Sequence, residues 1–566
     1  MRRIQFPLPL YSFTLLLFYL FTFSPLSAQS PSWSSKAVKS LLTLKTFAAD
    51  GTLLASSTGF FVGTDGEAVS SFAPFKGAQR AVVIDAQGKE YPVEQLLGAN
   101  DTYDVAKFQV ATRKTTPLAI AATAANGSAI WLMPYAVKKT PDCIKGTVNS
   151  AELFQEKYQY YTLQLNAEES HISCPVLNQN GEVVGILQPS AGDKKGTAYA
   201  VSARFAADQK IYGLSINDPM FRQTNIAIAL PDDVKEAQLA LFLASSTKEE
   251  SQYVNMIERF IQKFPNDADG YIYRARYQAA KGHFSDADND MQKALKVNGA
   301  NDDVHYQYAE LIYQKDLYQS DKPFDAWTLD KAFAESQEAY RLNPMSIYLQ
   351  QQAQIRYAQR QYGNAYTLYE QLTHTDLRSA DIFYAASQCK GQLGETDQQM
   401  ALLDSAVNQF SRPYVKTAAP YLLARAQMLL GQEKYRPAVN DFNDYASLMG
   451  SQLGPQFYYN RFLAESGGHL FQQALNDINK AIELSPTEPM YQAEKASLEV
   501  RVGMYKEAIE TAQQLIRLSP ELSDGYLFLG LAQCLTNQKA EGAKNLNKAK
   551  ELGNDQAQSL IDKYAK

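Results

Sequence analysis

Short apolar runs and turn residues alternate between residues 31 and 222. Turn sequences such as 63–66 (GTDG) and 178–181 (NQNG) separate the runs. Many short strands at about ten-residue spacing, with little helical period, indicate a β-sandwich or a β-barrel. The predicted strands include residues 41–44, 59–62, 81–84, 105–110, 129–133, 160–165, 183–187 and 198–201.

The pattern changes from Asp233 onward, where apolar residues recur at the i, i+3, i+4 spacing of amphipathic helices. The helical pattern itself repeats, because Ala474 and Pro486 recur as Ala508 and Pro520, 34 residues later. A 34-residue unit of two helices resembles the tetratricopeptide repeat. We predict nine units over 233–553, and the unit bounds are 233–267, 268–301, 302–345, 346–379, 380–418, 419–454, 455–488, 489–522 and 523–553.

Two further segments belong to this array. Residues 554–566 are predicted to form a C-terminal capping helix with a polar outer face. The third unit carries an insertion around 315–327, and the sequence leaves open whether this loop has a function.

The N-terminus has the layout of a secretory signal peptide over residues 1–28. Arg2 and Arg3 precede the apolar run 11–23, and small residues lead to a cleavage position after Ala28. The run is shorter than the roughly 18–20 residues that span a bilayer, so no transmembrane anchor is expected in the mature chain. We therefore expect export to the periplasm or cell envelope, or to the extracellular space.

The composition and the absence of known motifs argue against several classes of function. The 566 residues carry a net charge of −6, and the acidic excess lies beyond residue 222, so nucleic-acid binding is not expected. An apolar content of 45% with 20% charged residues is typical of a folded chain rather than a disordered one. The sequence has no Walker loop, HExxH, CxxC or clustered histidines, so no cofactor or metal is expected.

Two segments of the β region carry a more specific pattern. Residues 58–110 contain TGFFVGTDGEAVSSFAPFKGA and TYDVAKFQV, and residues 161–203 contain SHISCPVLNQNGEVVGIL and GTAYAVSA. In order and spacing these motifs resemble the two barrels of trypsin-fold serine proteases, nearest the HtrA/Deg type. The resemblance implies a double β-barrel over 31–210, with 211–232 as a linker. The expected fold class is a multidomain chain, with an all-β trypsin-like double barrel followed by an all-α tetratricopeptide superhelical solenoid.

The resemblance also locates the catalytic positions. The family uses a Ser nucleophile, a His base and an Asp that orients the His. Counted from Gly77, the His position holds Ala73, and Asp104 matches the acid. Counted from Pro175, the nucleophile position holds Ile172. The triad is therefore degenerate, and no catalytic residue is expected.

The residues around Ile172 do not replace what is lost. The glycines that form the family's oxyanion hole are replaced by Ser173 and Cys174. His171, the one histidine in 31–222, lies in the wrong barrel to act as the base. An improvised pair with Ser170 or Ser173 is disfavoured, because neighbouring side chains point in different directions.

Two cysteines, Cys143 and Cys174, fall in the second predicted barrel. An oxidising compartment permits a disulfide between them, but the sequence does not show that their Cα atoms lie within the roughly 4.4–6.8 Å required. A catalytic Cys174 is a weaker alternative, because no partner base is evident.

The repeat array predicts a binding surface. Such arrays bind extended or helical protein segments in a groove lined by the first helix of each unit, so the expected partner is a protein or peptide. Tyr and Gln in a groove offer flat apolar area with hydrogen-bonding tips. Ordinary solvated faces and packing between helices are the plain alternative. The predicted groove residues are Arg276, Tyr306, Glu310, Tyr313, Gln350, Gln354, Tyr357, Gln427 and Tyr459.

Three hypotheses of function follow. The first is an exported protein-binding scaffold that combines an inactive trypsin-like domain with a peptide-binding helical array. The second is an active serine peptidase whose repeats recruit substrate. The third is a pure assembly scaffold in which the barrels only cap the array.

Overall fold

The computed structural model describes residues 31–134, 143–189 and 196–565. The predicted signal peptide lies outside these residues.

The first domain begins with a closed barrel of six antiparallel strands in the order β1-β2-β3-β6-β5-β4, with β4 pairing back to β1. Alternate side chains of β6 point into the core, as the period of two along a strand requires. A short helix, α1 (Ser34–Ala37), precedes the barrel. The strands are β1 (Leu41–Phe47), β2 (Leu53–Phe61), β3 (Glu67–Ser70), β4 (Arg80–Asp85), β5 (Glu90–Asn100) and β6 (Val105–Val110).

A second closed barrel follows, in the order β10-β11-β12-β9-β8-β7. All six residues of β11 are buried, which explains its continuous apolar run. The helix α2 (Ala203–Ala207) ends this barrel. The strands are β7 (Ala129–Leu132), β8 (Ile144–Phe154), β9 (Tyr158–Gln164), β10 (Pro175–Leu177), β11 (Val183–Gln188) and β12 (Thr197–Ser202).

One apolar cluster joins the two barrels. Leu41 and Phe60 of the first barrel pack with Ile186 and Val201 of the second, and Phe205 of α2 completes the cluster. The two barrels are therefore fixed against each other, and a cleft between them has walls from both.

The predicted linker 211–232 is a packed connection rather than an open one. Phe221 and Ile226 belong to the core of the first barrel. The backbone of 227–229 runs beside Leu96, whose N–H donates to the Ala227 carbonyl at 2.8 Å and whose carbonyl accepts from the Ala229 N–H at 2.8 Å. The apolar residues of this segment have no regular period, so the sequence pattern did not reveal their burial.

Helices occupy the rest of the chain, and each of the nine predicted units contains one pair of them. The pairs are α3 (Val234–Thr247) with α4 (Glu250–Lys263), α5 (Ala268–Ala280) with α6 (Phe284–Asn298), α7 (Asp302–Tyr318) with α8 (Leu329–Leu342), α9 (Ser346–Ala358) with α10 (Tyr362–Leu372), α11 (Ala380–Gln392) with α12 (Thr396–Val407), α13 (Ala419–Gly431) with α14 (Tyr435–Met449), α15 (Pro455–Gly467) with α16 (Phe471–Leu484), α17 (Pro489–Arg501) with α18 (Tyr505–Leu518), and α19 (Ser523–Leu535) with α20 (Lys539–Glu551). The last helix, α21 (Ala557–Tyr564), lies in the predicted capping segment.

A repeated ion pair ties the two helices of some units together. Arg425 of α13 donates to both carboxylate oxygens of Asp441 in α14, at 2.7 and 2.8 Å. Arg461 of α15 contacts Asp477 of α16 in the same way, at 2.6 and 2.9 Å. Both aspartates are buried, so the two-pronged contact satisfies charges that are costly to leave unpaired.

The predicted fold class is confirmed by the two closed six-stranded barrels and the all-helical region that follows them. The chain forms two compact units, which divide after Arg274. Within the described residues, no helix is long and apolar enough to cross a membrane.

Candidate functional site

A cleft of about 510 Å³ between the two barrels brings together the three residues at the predicted triad positions. Ala73 and Asp104 come from the first barrel, and Ile172 comes from the second. The residues counted from distant motifs therefore share one site.

The acid position is occupied by a carboxylate that binds backbone instead of a histidine. The Ala73 N–H donates to Oδ1 of Asp104 at 2.6 Å. Asp104 has a φ of 45°, and a short polar side chain tolerates this left-handed backbone better than most. The methyl group of Ala73 has no proton to exchange, so Asp104 orients the backbone only.

The nucleophile position is occupied by a side chain that cannot react. Ile172 follows a 3₁₀ helix, Glu169–His171, and its half-buried side chain lines the cleft. His171 does not line the cleft, and its Nδ1 accepts the Glu168 N–H at 3.1 Å. The described lining of the cleft contains no His, Lys or Cys, so no side chain there has the usual chemistry of a general base at neutral pH except a carboxylate.

The backbone N–H groups around Ile172 also donate hydrogen bonds within the protein. The Ile172 N–H donates to the Glu169 carbonyl at 3.1 Å. The Ser173 N–H donates to the Leu187 carbonyl at 2.9 Å, and the Cys174 N–H donates to the His171 carbonyl at 3.0 Å. An oxyanion hole needs N–H groups aimed at the developing charge, and these three are already used.

A cluster of serine hydroxyls forms the floor of the cleft, and sequence reasoning missed it. The fully buried Ser173 has its Oγ 2.5 Å from Oγ of Ser71 and 3.0 Å from Oγ of Ser57. Ser71 and Ser173 lie in the two motif segments and Ser57 directly precedes the first, but the motifs do not pair these serines, so only the fold shows that they meet. The hydroxyls of the buried Ser71 and Ser173 therefore satisfy each other, and Ser57 donates to Ser173.

The two cysteines of the second barrel lie on opposite sides of strand β7. Leu132 of β7 pairs with Ile144, next to Cys143, and also with Val176, near Cys174. Two strand spacings amount to about 9.5 Å, beyond the separation that a disulfide bridges. This geometry argues against the disulfide that the sequence left possible. A count of free thiols under denaturing conditions tests whether the bridge forms.

All nine predicted groove residues lie on the first helices of their pairs, namely α5, α7, α9, α13 and α15. Several also contact neighbouring helices. The Tyr306 ring lies 5.3 Å from the ring of Tyr348, and the Tyr459 ring lies 5.2 Å from that of Tyr491. Burial, with Glu494 nearby, raises the pKa of Tyr459 to about 12. These tyrosines therefore contribute to packing between helices as well as to the predicted groove.

Comparison with known proteins identifies the first domain. Residues 57–186 match the family model of the trypsin-like peptidase domain. The match covers most of the cleft lining and strands from both barrels. The trypsin-like domain thus has the fold expected from its motifs.

Three solved structures with similarity to the chain illustrate its likeness to proteases. The active form of the Rv3671c protease from M. tuberculosis is 19% identical, covers 35% of this chain and 85% of its own, and has a TM-score of 0.28. The serine endoprotease from Yersinia pestis is 14% identical over 34% of this chain and 68% of its own, with a TM-score of 0.27. The HtrA-type protease AlgW with a decapeptide is 13% identical over 31% and 63%, also with a TM-score of 0.27. No curated protein matches the chain.

Proposed function

We propose that this protein is an exported scaffold in which a trypsin-like domain has lost peptidase chemistry and a helical array binds a protein or peptide. The observation that carries the proposal is the cleft, where Ala73 and Ile172 replace the base and the nucleophile. Removing a triad member from a protease lowers turnover by several orders of magnitude, and here the two that move the proton are both absent.

Two further observations support the loss of chemistry. The N–H groups of Ile172, Ser173 and Cys174 all donate within the protein. His171 is tied to the Glu168 backbone, so it is not poised toward Ser173. The cleft nevertheless keeps about 510 Å³ of open volume. A cleft of that size suits binding of a peptide side chain without cleavage.

A fluorophosphonate probe tests the inactivity directly. We expect no labelling of the purified mature protein and no cleavage of casein. Labelling of Ser170 or Ser173, together with casein cleavage that is lost in Ser170→Ala or Ser173→Ala, would establish an active peptidase. Ser245→Ala, on the exposed end of α3, is the matched control.

Two observations favour the peptidase alternative enough to keep it as a second candidate. Ser71 and Ser173 share a hydrogen bond of 2.5 Å in the cleft, and the domain matches a peptidase family model. In this alternative Ser173 is the nucleophile. The labelling experiment separates the two candidates, since the scaffold predicts no adduct at any serine.

Export is proposed from the sequence of residues 1–28. N-terminal sequencing of the protein secreted by its own cell type tests it. We expect the mature chain to begin after Ala28, whereas a chain that begins at Met1 would rule out cleavage.

A further inference from the structure

A second cavity, of about 260 Å³, lies between the packed connection and the helices α3 and α4. It is separate from the cleft and shares no lining residue with it. The connection forms one wall, and the opposite wall comes from α3 and α4. No part of the proposed function uses this cavity.

The interior of the cavity is apolar. Ile216, Phe221, Ile226 and Met256 line it, and each is buried in the folded domain. Cavities of about 150 Å³ with such walls stay dry and bind molecules the size of benzene. A volume of about 260 Å³ therefore accepts a larger apolar group, such as a phenylalanine side chain or a medium-length alkyl chain.

The mouth of the cavity is cationic. Lys248 and Arg259 line it, and Arg222 lies close enough to Lys248 to affect its charge. The Arg259 guanidinium donates to the neutral side-chain amide of Gln95. Within the described residues, the cavity lining contains no Asp or Glu, and the Lys248 ammonium has no hydrogen-bond or ion-pair partner, although its backbone N–H donates to the Ala244 carbonyl.

Burial makes these charges costly. It lowers the pKa of Lys248, with a further contribution from Arg222, and it also lowers the pKa of Arg259. Cations that are partly removed from water are normally paired. An anion at the mouth would stabilise both, because a carboxylate accepts charge-assisted hydrogen bonds from Lys and Arg.

The first turn of α4 adds to the positive potential. Ser251 and Gln252, in that turn, lie at the mouth, where the helix dipole favours an anion. Glu250 is the first residue of this turn and Glu249 precedes it, but neither lines the cavity.

We propose that this cavity binds a carboxylate attached to an apolar group, with the group inside the cavity and the carboxylate between Lys248 and Arg259. Two sources share this chemistry, namely a free fatty acid and the C-terminal residue of a polypeptide. The segment predicted to be a linker would then be a ligand-binding wall of the domain.

Isothermal titration calorimetry on the mature chain tests the proposal with two pairs of probes. The first pair is octanoate and octanamide, and the second is a Gly-Ser-Gly-Phe peptide with a free or an amidated C-terminus. We expect at least one carboxylate to bind with a Kd below about 1 mM and at least tenfold more tightly than its amide. Preference for octanoate identifies a fatty acid, and preference for the peptide identifies a polypeptide C-terminus. Binding of neither carboxylate, or equal binding of each acid and its amide, overturns the proposal.

Variants locate the site. We expect Lys248→Gln and Arg259→Gln each to weaken binding of the preferred carboxylate at least tenfold and to leave binding of its amide unchanged. Lys235→Gln, at an exposed position of α3 away from the cavity, is the matched control and should bind as the original chain does. Because Arg259 also holds Gln95, the melting temperature of each variant is measured alongside. Unchanged affinity in a folded Lys248→Gln variant places binding elsewhere and overturns the assignment.

Discussion

Ser173 has a strained backbone conformation, which lowers stability, and a hydrogen-bonded hydroxyl, which raises it. Its φ of 69° lies in the left-handed region that costs an L-residue about 1–2 kcal/mol, yet its hydroxyl satisfies the buried hydroxyl of Ser71. The family has a glycine at this position, and glycine adopts a positive φ without strain. The serine strains the backbone, but its hydroxyl forms hydrogen bonds that a glycine cannot form. The buried hydroxyls of the cleft are therefore a structural feature of this chain.

Substitution of Ser173 separates the two properties. We expect Ser173→Ala to lower the free energy of unfolding by about 1–3 kcal/mol, because Ser71 loses its partner while the strained backbone remains. Ser173→Gly loses the same bond but relieves the backbone, so it should be the more stable of the two. Urea denaturation of both variants measures the difference. A Gly variant less stable than the Ala variant would contradict the strain at this position.

Glu465 is a buried acid on α15. It is 4% exposed, and its Oε2 has no hydrogen-bond partner among the described residues. Its Oε1 lies 3.8 Å from Nε of Arg461, whose guanidinium donates hydrogen bonds to Asp477. Burial, with Asp477 nearby, raises its pKa to about 8. The folded state therefore holds this proton more tightly than the unfolded state, and the stability that it contributes is lost as the pH rises from about 4.5 to about 8.

Replacement of Glu465 by a neutral isostere tests this pH dependence. We expect Glu465→Gln to be more stable than the original chain at pH 9 by at least about 1 kcal/mol, with a smaller difference at pH 5, where the acid is protonated. Thermal melts at both pH values give the comparison. Glu483→Gln, an exposed acid on α16, should show no such change with pH. An equal effect at both pH values would contradict the raised pKa.

At the scale of elements, regular patterns were predicted and irregular contacts were not. The 34-residue period located all nine helix pairs, because buried positions such as Ala474 and Ala508 recur wherever two helices pack closely. Eight strands were predicted because their apolar runs end at turns, whereas β3, β5, β8 and β10 were not. No period or motif indicates the contacts within the serine cluster or the packing of segment 211–232, since the closed barrels create them.

The insertion in the third unit is another element that the sequence left open. Trp327, at its end, is 5% exposed, and its Nε1–H donates to Oδ1 of Asp288 at 2.7 Å. Lys331 donates to the same oxygen at 3.1 Å, and the Tyr308 hydroxyl donates to it as well. The loop is thus anchored on α6, α7 and α8 through one carboxylate.

Loss of this anchor should destabilise the helical region. We expect Trp327→Ala to lower the free energy of unfolding by about 3–5 kcal/mol, because a large side chain is removed from a packed site. Trp327→Phe keeps most of the packing and loses one hydrogen bond, so about 1 kcal/mol is expected. Tyr318→Ala, at an exposed position at the end of α7, is the control and should change stability by less than about 0.5 kcal/mol. A Trp327→Ala variant as stable as this control would show that the loop is not anchored by Trp327.

At the scale of the whole molecule, the structure shows that fragments of the chain should be divided after α4 rather than near residue 222. The helices α3 and α4 share an apolar cluster with Ile216 and Leu230 of the connection. A deletion of residues 31–222 would therefore cut through a packed unit. Weaker partner binding by the truncated protein could then result from unfolding rather than from loss of the barrels. A division between α4 and α5, after residue 267, falls in a loop and leaves both helices intact.

This division tests whether the barrels contribute to partner binding. With a partner captured by crosslinking in the envelope fraction, we expect residues 268–566 to bind it at least tenfold more weakly than the mature chain, because the scaffold proposal gives the cleft a share in binding. Surface plasmon resonance on the two proteins measures the ratio. Undiminished binding by 268–566 would favour the pure assembly scaffold, in which the barrels only cap the array.

The connection and the first helix pair should also decide how stable the barrels are on their own. Without α3 and α4, the apolar side chains of Ile216 and Leu230 lose their cover, and each such side chain is worth about 1.5–3 kcal/mol of burial. We therefore expect fragment 31–232 to melt at least about 5 °C below fragment 31–267 in differential scanning calorimetry. Fragment 31–274 serves as the control and should melt within about 2 °C of 31–267. Equal melting of 31–232 and 31–267 would mean that the helices add nothing to the barrels, and the wall of the second cavity would then lack the rigidity that selective binding requires.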